Sequence, residues 1–384
     1  MKSKSLILPF FLLMFSVSVF SQDASVSSFS SDLTVKEIKT VLKAVADWQV
    51  KTPLKHHELD WTNAALYAGM AEWATIAADE QYYTWLKGIG EKNGWKYYEH
   101  PKQPMRRYHA DDYCVGQMYI ELYRHYKDKK LITPMRTYLD QILKDPAKGG
   151  LLFASPDKTY SSQQRWSWCD ALFMAPTVWA KMAKVTGKKK YLDFMYEEYK
   201  FATEYLYDKD EDLYFRDSNY FTRKEANGEK VFWGRGNGWV FAGLPIIIRE
   251  LPAKYENKEY FVTIYKEMAA KLLSLQSADG FWHASLLDPA SYPNPEMSAT
   301  AFFVFGMAWG VNNGYLEKEK YLPAIVKGWK SMVTSVWPDG KVGFIQPIGA
   351  DPKAVTKEMT EVYGVGGFLM AGTEITRLID KGIL

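Results

Sequence analysis

Cysteine is nearly absent: the 384 residues contain two, Cys114 and Cys169. That rules out a disulfide framework as the source of stability, and a chain of this length can bury a core large enough to need none. Both are expected as buried free thiols, with a Cys114–Cys169 pair in an oxidising compartment as the alternative. An excess of charge of one sign is also missing. Forty-eight basic residues face 45 acidic ones, for a net charge of +3, and there is no basic run or basic helix face. This argues against a nucleic-acid partner. No phosphate-cradling glycine loop, zinc-spaced Cys/His set or Ser-His-Asp arrangement occurs. His283 is read as having no second His or acid at ligand spacing, so no metal and no organic cofactor is expected. Strand-like alternation is scarce and confined to short pieces such as Leu213-Tyr214-Phe215.

What is present begins with an export signal. Lys2 and Lys4 precede an apolar run from Leu6 to Phe20 that is interrupted only by serines, and Val19-Phe20-Ser21 offers a cleavage site with Gln22 as the new N-terminus. The run is too short and too serine-bearing for a good membrane span, and no cysteine follows it to carry a lipid, so no membrane anchor is expected. Residues 1–21 read as a signal peptide, 22–32 as a flexible leader, and 33–384 as one domain of a periplasmic protein. Aromatics make up 16% of the chain, with 14 Trp and 26 Tyr. A large helical core and a surface that stacks on sugar rings both use such residues.

Helical periodicity dominates. Helices are predicted near 34–50, 60–78, 80–91, 111–127, 131–144, 170–186, 189–206, 237–250, 256–276, 297–313, 318–335 and 359–380. Twelve helices make six hairpins, and no linker divides them. The architecture expected is all-α: a ring of six helix pairs with inner and outer layers, whose loops gather at a central bowl where function tends to sit.

Five segments at helix starts or in loops carry candidate chemistry. In Trp166-Ser167-Trp168-Cys169-Asp170, an acid stands between indoles and the apolar run Ala171-Leu172-Phe173-Met174. Desolvation there raises a carboxyl pKa toward what a general acid needs, although Asp170 could equally cap the helix that follows. His109-Ala110-Asp111-Asp112 places two acids at another helix start, where they cap the helix or face the bowl. In Arg235-Gly236-Asn237-Gly238-Trp239, the glycines let backbone approach a ligand, Arg235 suits a carboxylate, and Trp239 suits a sugar ring. Arg216-Asp217 offers a surface turn or a second cationic contact. Gln276 to His283 and Glu296-Met297-Ser298 flank a Pro-rich loop.

In this order, these segments resemble the unsaturated rhamnogalacturonyl hydrolases, glycoside hydrolase family 105, and their sister group, the unsaturated glucuronyl hydrolases. The resemblance spans nearly all of the chain after the signal. It rests on the acid-Gly segment 111–116, on Trp168-x-Asp170 followed by Ala-Leu-Phe-Met-x-x-Pro, and on 235–239. It also takes in Gln276-x-x-x-Gly280-x-Trp282, Glu296-x-Ser298 and Tyr363-Gly364-Val365-Gly366-Gly367. It implies an (α/α)6 barrel acting on an acidic oligosaccharide whose non-reducing end is a uronic acid with a C4=C5 double bond. Asp170 matches the family's general acid/base. Asp111 matches its second acid better than Asp112 does, and Trp166, Trp168, His109, Arg216, Arg235, Asn237 and Trp239 fall at substrate-site positions. Two departures stand out. Arg216 stands where many members carry His, and Ser161-Ser162-Gln163-Gln164 replaces another common His. An extra guanidinium suits a second anion, such as a sulfate on the neighbouring sugar. An ordinary glycosidase or a lyase on the same barrel, and a glycan-binding protein without turnover, are the alternatives.

Overall fold

The computed structural model describes residues 27–101, 108–153 and 161–384. The segment read as a signal peptide, most of the segment read as a leader and residues 154–160 of the loop before Trp166 lie outside the described residues, as do the side chains of Ser161 and Ser162. Phe29 and Leu33 rest against the core.

Fourteen helical stretches form the twelve expected arms: α1 (Val35–Lys51), α2 (Trp61–Ala77), α3 (Gln81–Lys92), α4 (Ala110–Tyr113), α5 (Gly116–Tyr126), α6 (Thr133–Lys144), α7 (Ala171–Met174), α8 (Pro176–Thr186), α9 (Lys190–Leu206), α10 (Gly234–Glu250), α11 (Lys258–Ser274), α12 (Met297–Asn312), α13 (Lys318–Thr334) and α14 (Val362–Asp380). The arms expected at 111–127 and 170–186 are each broken near the N-terminal end, into α4 and α5 and into α7 and α8. Pro176, which lacks an N–H, accounts for the second break. A two-residue hairpin, β1 (Tyr207–Asp208) with β2 (Leu213–Tyr214), occurs where the strand-like piece was expected.

Two kinds of helix make two layers. The outer helices bury one stripe, as α6 does with Met135, Tyr138, Leu139 and Ile142 at helical spacing. The inner helices are buried all round: every residue of α12 from Met297 to Asn312 is shielded from solvent. The inner arms contact one another in a closed cycle, α2 to α5 to α8 to α10 to α12 to α14 and back to α2. That cycle is the (α/α)6 barrel. Its closing seam is backbone on backbone: a Cβ on Gly69 would lie 2.1 Å from the Gly366 carbonyl oxygen, so only glycine permits α2 and α14 to approach this closely.

The two ends of the ring differ chemically. The N-termini of α2, α4, α7, α10, α12 and α14 bring Trp61, His109, Asp170, Arg235, Glu296 and Tyr363 to one end. At the other end the inner helices carry a charged clasp. Arg249 pairs with Glu72 (2.5 Å), and Arg377 reaches both Glu72 (3.2 Å) and Glu374 (2.5 Å). Arg124 grips Glu250 with two bonds of 2.9 and 2.6 Å, Lys181 pairs with Glu121, and Asn312 donates to Glu374 (2.7 Å). All six inner arms contribute a member.

Candidate active site

Asp170 sits where the chain turns from an extended segment into α7. It does not cap that helix: its backbone is already helical (φ −59°, ψ −33°) and its carboxylate takes no capping bond. The helix start holds through Phe173 N–H and Met174 N–H, which donate to the Asp170 carbonyl. The carboxyl group is therefore free of capping duty, yet only 8% of the residue is exposed. Burial raises its pKa, and the Arg216 and Arg235 cations pull against that without cancelling it. Oδ2 accepts the Cys169 thiol proton at 3.4 Å and faces Arg216 Nε at 3.7 Å. Cys169 and Cys114 are both buried free thiols, as expected, and burial pushes the pKa of each upward.

The acid pair divides by direction. His109 is the cap residue of α4, its Nδ1 accepting from the Asp111 N–H (3.3 Å). Its ring lies 4.6 Å from the Trp168 ring, and Nδ1 is 3.6 Å from Asp111 Oδ2. Asp111, Asp112's neighbour, thus joins the Trp168–Asp170 wall through His109, and its side chain keeps 15% exposure. Asp112 is 4% exposed, and its charge opposes the ionisation of Tyr97, Tyr113 and Tyr138. Asp111 is the better placed of the two for a role at the bowl.

Several expected sugar contacts are parts of the wall instead. The motif 235–239 does not precede a helix; it is the first turn of α10, which begins at Gly234. Its glycines serve packing: a Cβ on Gly236 would meet Cys169 Sγ at 3.1 Å, and one on Gly238 would meet Phe302 at 3.1 Å. Trp239 has no exposed surface and is packed among Trp61, Phe173, Phe302 and Tyr363. Asn237 is equally buried and latches β2, accepting from the Tyr214 N–H (2.8 Å) and donating to its carbonyl (3.1 Å). Trp166 lies behind the site with its indole N–H on the Tyr113 hydroxyl. Arg235 commits Nη1 and Nη2 to the carbonyls of Gln346 (2.5 Å) and Pro347 (2.9 Å), its guanidinium between the Trp233 and Tyr363 rings. It carries positive potential to Asp170 but offers no open fork. Arg216 is paired with Asp217 (2.5 Å) and stacked on Phe153, so its charge goes to neighbouring acids before any ligand. Trp168 keeps its place beside the acid, held between His109 and Phe153.

Two features were not foreseen, and a third, Glu296, has a role that its motif did not reveal. Trp61, half-buried at the start of α2, stacks on Tyr363 (5.5 Å, 14°). Gln346 is a hub: its carbonyl accepts from Tyr363 and Arg235, and its side chain accepts from Trp233. Glu296 caps α12 through Ser298 and Ala299 N–H and also accepts the Gln346 N–H, fixing that hub. Asp60 capping α2 just ahead of Trp61 was the available signal for the first; nothing local marks Gln346. His283 does have an acid nearby, Asp279 at 3.7 Å, but no cluster of three metal-binding side chains exists among the described residues. No helix among them is long and apolar enough to cross a membrane.

Comparison with known proteins places this geometry. Residues 34–379 match Glycosyl Hydrolase Family 88. The chain is 37% identical over 372 residues to an unsaturated 3S-rhamnoglycuronyl hydrolase of Alteromonas sp. (strain LOR), covering 92% of this chain and 88% of that one. It is 36% identical over 356 residues to the protein of the same name from Formosa agariphila, covering 90% and 92%. Among solved structures it resembles a glycosyl hydrolase family 88 protein from Bacteroides vulgatus (TM-score 0.81, 29% identity, 90% of this chain and 99% of that one). It also resembles a polysaccharide lyase (TM-score 0.80, 31% identity, 90% and 98%).

Proposed function

The chain belongs to Glycosyl Hydrolase Family 88, and from that premise we propose that it removes a 4,5-unsaturated uronic acid from the non-reducing end of sulfated, rhamnose-containing oligosaccharides. It is a glycoside hydrolase of unsaturated uronyl bonds. The substrate is the product of a lyase acting on an ulvan-like polysaccharide, a reading supported by the 3S-rhamnoglycuronyl names of the two relatives. The observation that carries the chemistry is a buried carboxyl group, free of capping duty, whose pKa is raised by its surroundings.

In this reading Asp170 protonates C4 of the vinyl ether. Positive charge develops at C5 and the ring oxygen, and water adds at C5 while the Asp170 carboxylate takes its proton. The hemiketal opens and releases the next sugar. One acid performs both transfers, unlike the paired carboxylates that flank the bond in ordinary glycosidases. Asp111, held by His109, orients the water or a hydroxyl. Trp61 supplies aromatic surface, Trp168 backs the acid, and the N-terminal ends of the inner helices favour the uronate's negative charge. Because Arg216 and Arg235 are committed within the wall, sulfate recognition falls to groups nearer the rim.

The C4=C5 chromophore gives the test. Incubation with lyase-generated disaccharides is expected to abolish their ultraviolet absorbance, faster for the sulfated than for the desulfated form. A rise in absorbance on intact polysaccharide would support the second reading, a lyase, which the similarity to a solved polysaccharide lyase favours. Faster turnover of the desulfated sugar would reject the sulfated substrate. Export is part of the same proposal: mass spectrometry of the protein recovered from a periplasmic fraction is expected to find Gln22 at the N-terminus, and an intact Met1 there would refute it.

A further inference from the structure

Two segments that meet at Asp170 are zipped together. Trp168 and Asp217 form an antiparallel bridge, and the Cys169 N–H donates to the Arg216 carbonyl at 2.8 Å. The register sets Arg216 beside Asp170, where Nε stands 3.7 Å from Oδ2 with no hydrogen-bond partner of its own. Asp217 binds the other side of the guanidinium at 2.5 Å. It is 1% exposed, and its Oδ1 is fixed by the Asn219 N–H at 2.8 Å. Phe153 lies 4.7 Å from the guanidinium carbon and holds its plane. Of these bonds only the one from the Asn219 N–H serves a helix, capping a single 3-10 turn over Ser218–Tyr220.

We propose that the Arg216–Asp217 pair, with the Cys169 thiol, is a positioning device for Asp170: it occupies Oδ2, leaving Oδ1 as the atom that carries the proton to the substrate. This rests on the reading of Asp170 as the acid. The charge count explains why a cation beside a general acid does not strip its proton. Asp217 neutralises Arg216, so the trio is neutral when Asp170 is protonated and carries one negative charge when it is not. At 3.7 Å the Nε–H is beyond hydrogen-bond length. Once Asp170 has given up its proton, its new charge draws that N–H in, so the contact strengthens as the reaction proceeds and not before. Arg216 is therefore a positioning residue. The other titratable or charged groups facing Asp170 are Arg235 from α10, Tyr363 from α14, and His109 with Asp111 from α4 by way of Trp168. None of these lies on the bridge.

The device makes two variants move in opposite directions. Arg216→Met keeps a stem against Phe153 but removes the cation, and the alkaline limb of kcat/KM is expected to move to higher pH. Asp217→Asn keeps an acceptor for the Asn219 N–H but frees the charge of Arg216, and the limb is expected to move to lower pH. Both should lower kcat at the optimum about tenfold or more through lost orientation, with KM within about threefold. Arg216→Lys should restore the limb but not the full kcat. Cys169→Ala should lower kcat, and Cys169→Ser should recover part of it. Limbs that stay put, or a KM rise confined to sulfated substrate in Arg216→Met, would overturn the proposal by placing Arg216 on the sugar. Should Arg216→Met not fold, the opposite-signed shift in Asp217→Asn decides alone. Asp170→Asn run in parallel separates the two levels: full activity in that variant would remove the acid itself.

Discussion

Asp170→Asn is expected to lower kcat about a thousandfold, the range general acid catalysis commands, while making the protein more stable at neutral pH. The two effects share one cause. Burial raises the folded-state pKa of this carboxyl group. A group so raised stabilises the fold fully only below its unfolded pKa, about 3.9 for Asp, and that contribution is lost as pH rises through the folded value. Above that point the wild type carries a poorly solvated charge and the amide variant does not. The gain in melting temperature should therefore grow from acidic to alkaline pH and vanish at the acid end. Thermal melts of both proteins across that range, beside the absorbance assay, check it. An Asn variant that is inactive but less stable at every pH would mean that the carboxylate is structural and that the loss of rate is secondary. Trading stability for chemistry is what a site group free of capping duty is expected to show.

Much of the architecture was legible because it rests on burial. Alternation of all-round apolar helices such as α12 with one-stripe helices such as α6 distinguishes an inner from an outer layer, and that pattern is written in residue type. The breaks after Tyr113 and Met174 were missed because short helical pieces share the periodicity of one long helix. Asp170 was legible for a similar reason: its sequence neighbours are also its spatial neighbours. The motif at 235–239 misled because residue types do not say which side of a barrel wall they face. Arg, Asn and Trp there suggest a sugar, yet their partners are Gln346, Pro347, Tyr214 and Phe302, far along the chain. The glycines read as a loop because they break helices in isolation. Here the closeness of Cys169 and Phe302 requires them inside a helix. Gln346 carried no local mark, since its place at the bowl follows only from ring closure.

Glu72→Ala is expected to destabilise the fold by about 3–5 kcal/mol, because it unpairs a largely buried cation pair rather than removing a surface bridge. Burial opposes the charge of Glu72, yet Arg249 and Arg377 hold its carboxyl far below the usual range. Both guanidiniums bind it, from α10 and α14, at 2.5 and 3.2 Å. Without it, two like charges face each other at the seam where the first and last inner helices meet. Four acids (Glu72, Glu121, Glu250, Glu374) balance four bases (Arg124, Lys181, Arg249, Arg377) in this clasp, so any single deletion leaves a net charge in a poorly solvated place. The pH dependence runs opposite to that of Asp170. A depressed carboxyl contributes stability above its unfolded pKa, about 4.3, and loses it as pH falls toward the folded value. Wild type should thus weaken on acidification, and Glu72→Ala, already lacking the contribution, should weaken less. Urea unfolding at neutral and acidic pH measures both. The clasp lies at the end of the ring away from Asp170, so kcat at low temperature should stay within about twofold. A loss under about 1 kcal/mol would show that the clasp acts as a solvated surface network. A large fall in kcat with little loss of stability would show that the two ends of the barrel are coupled.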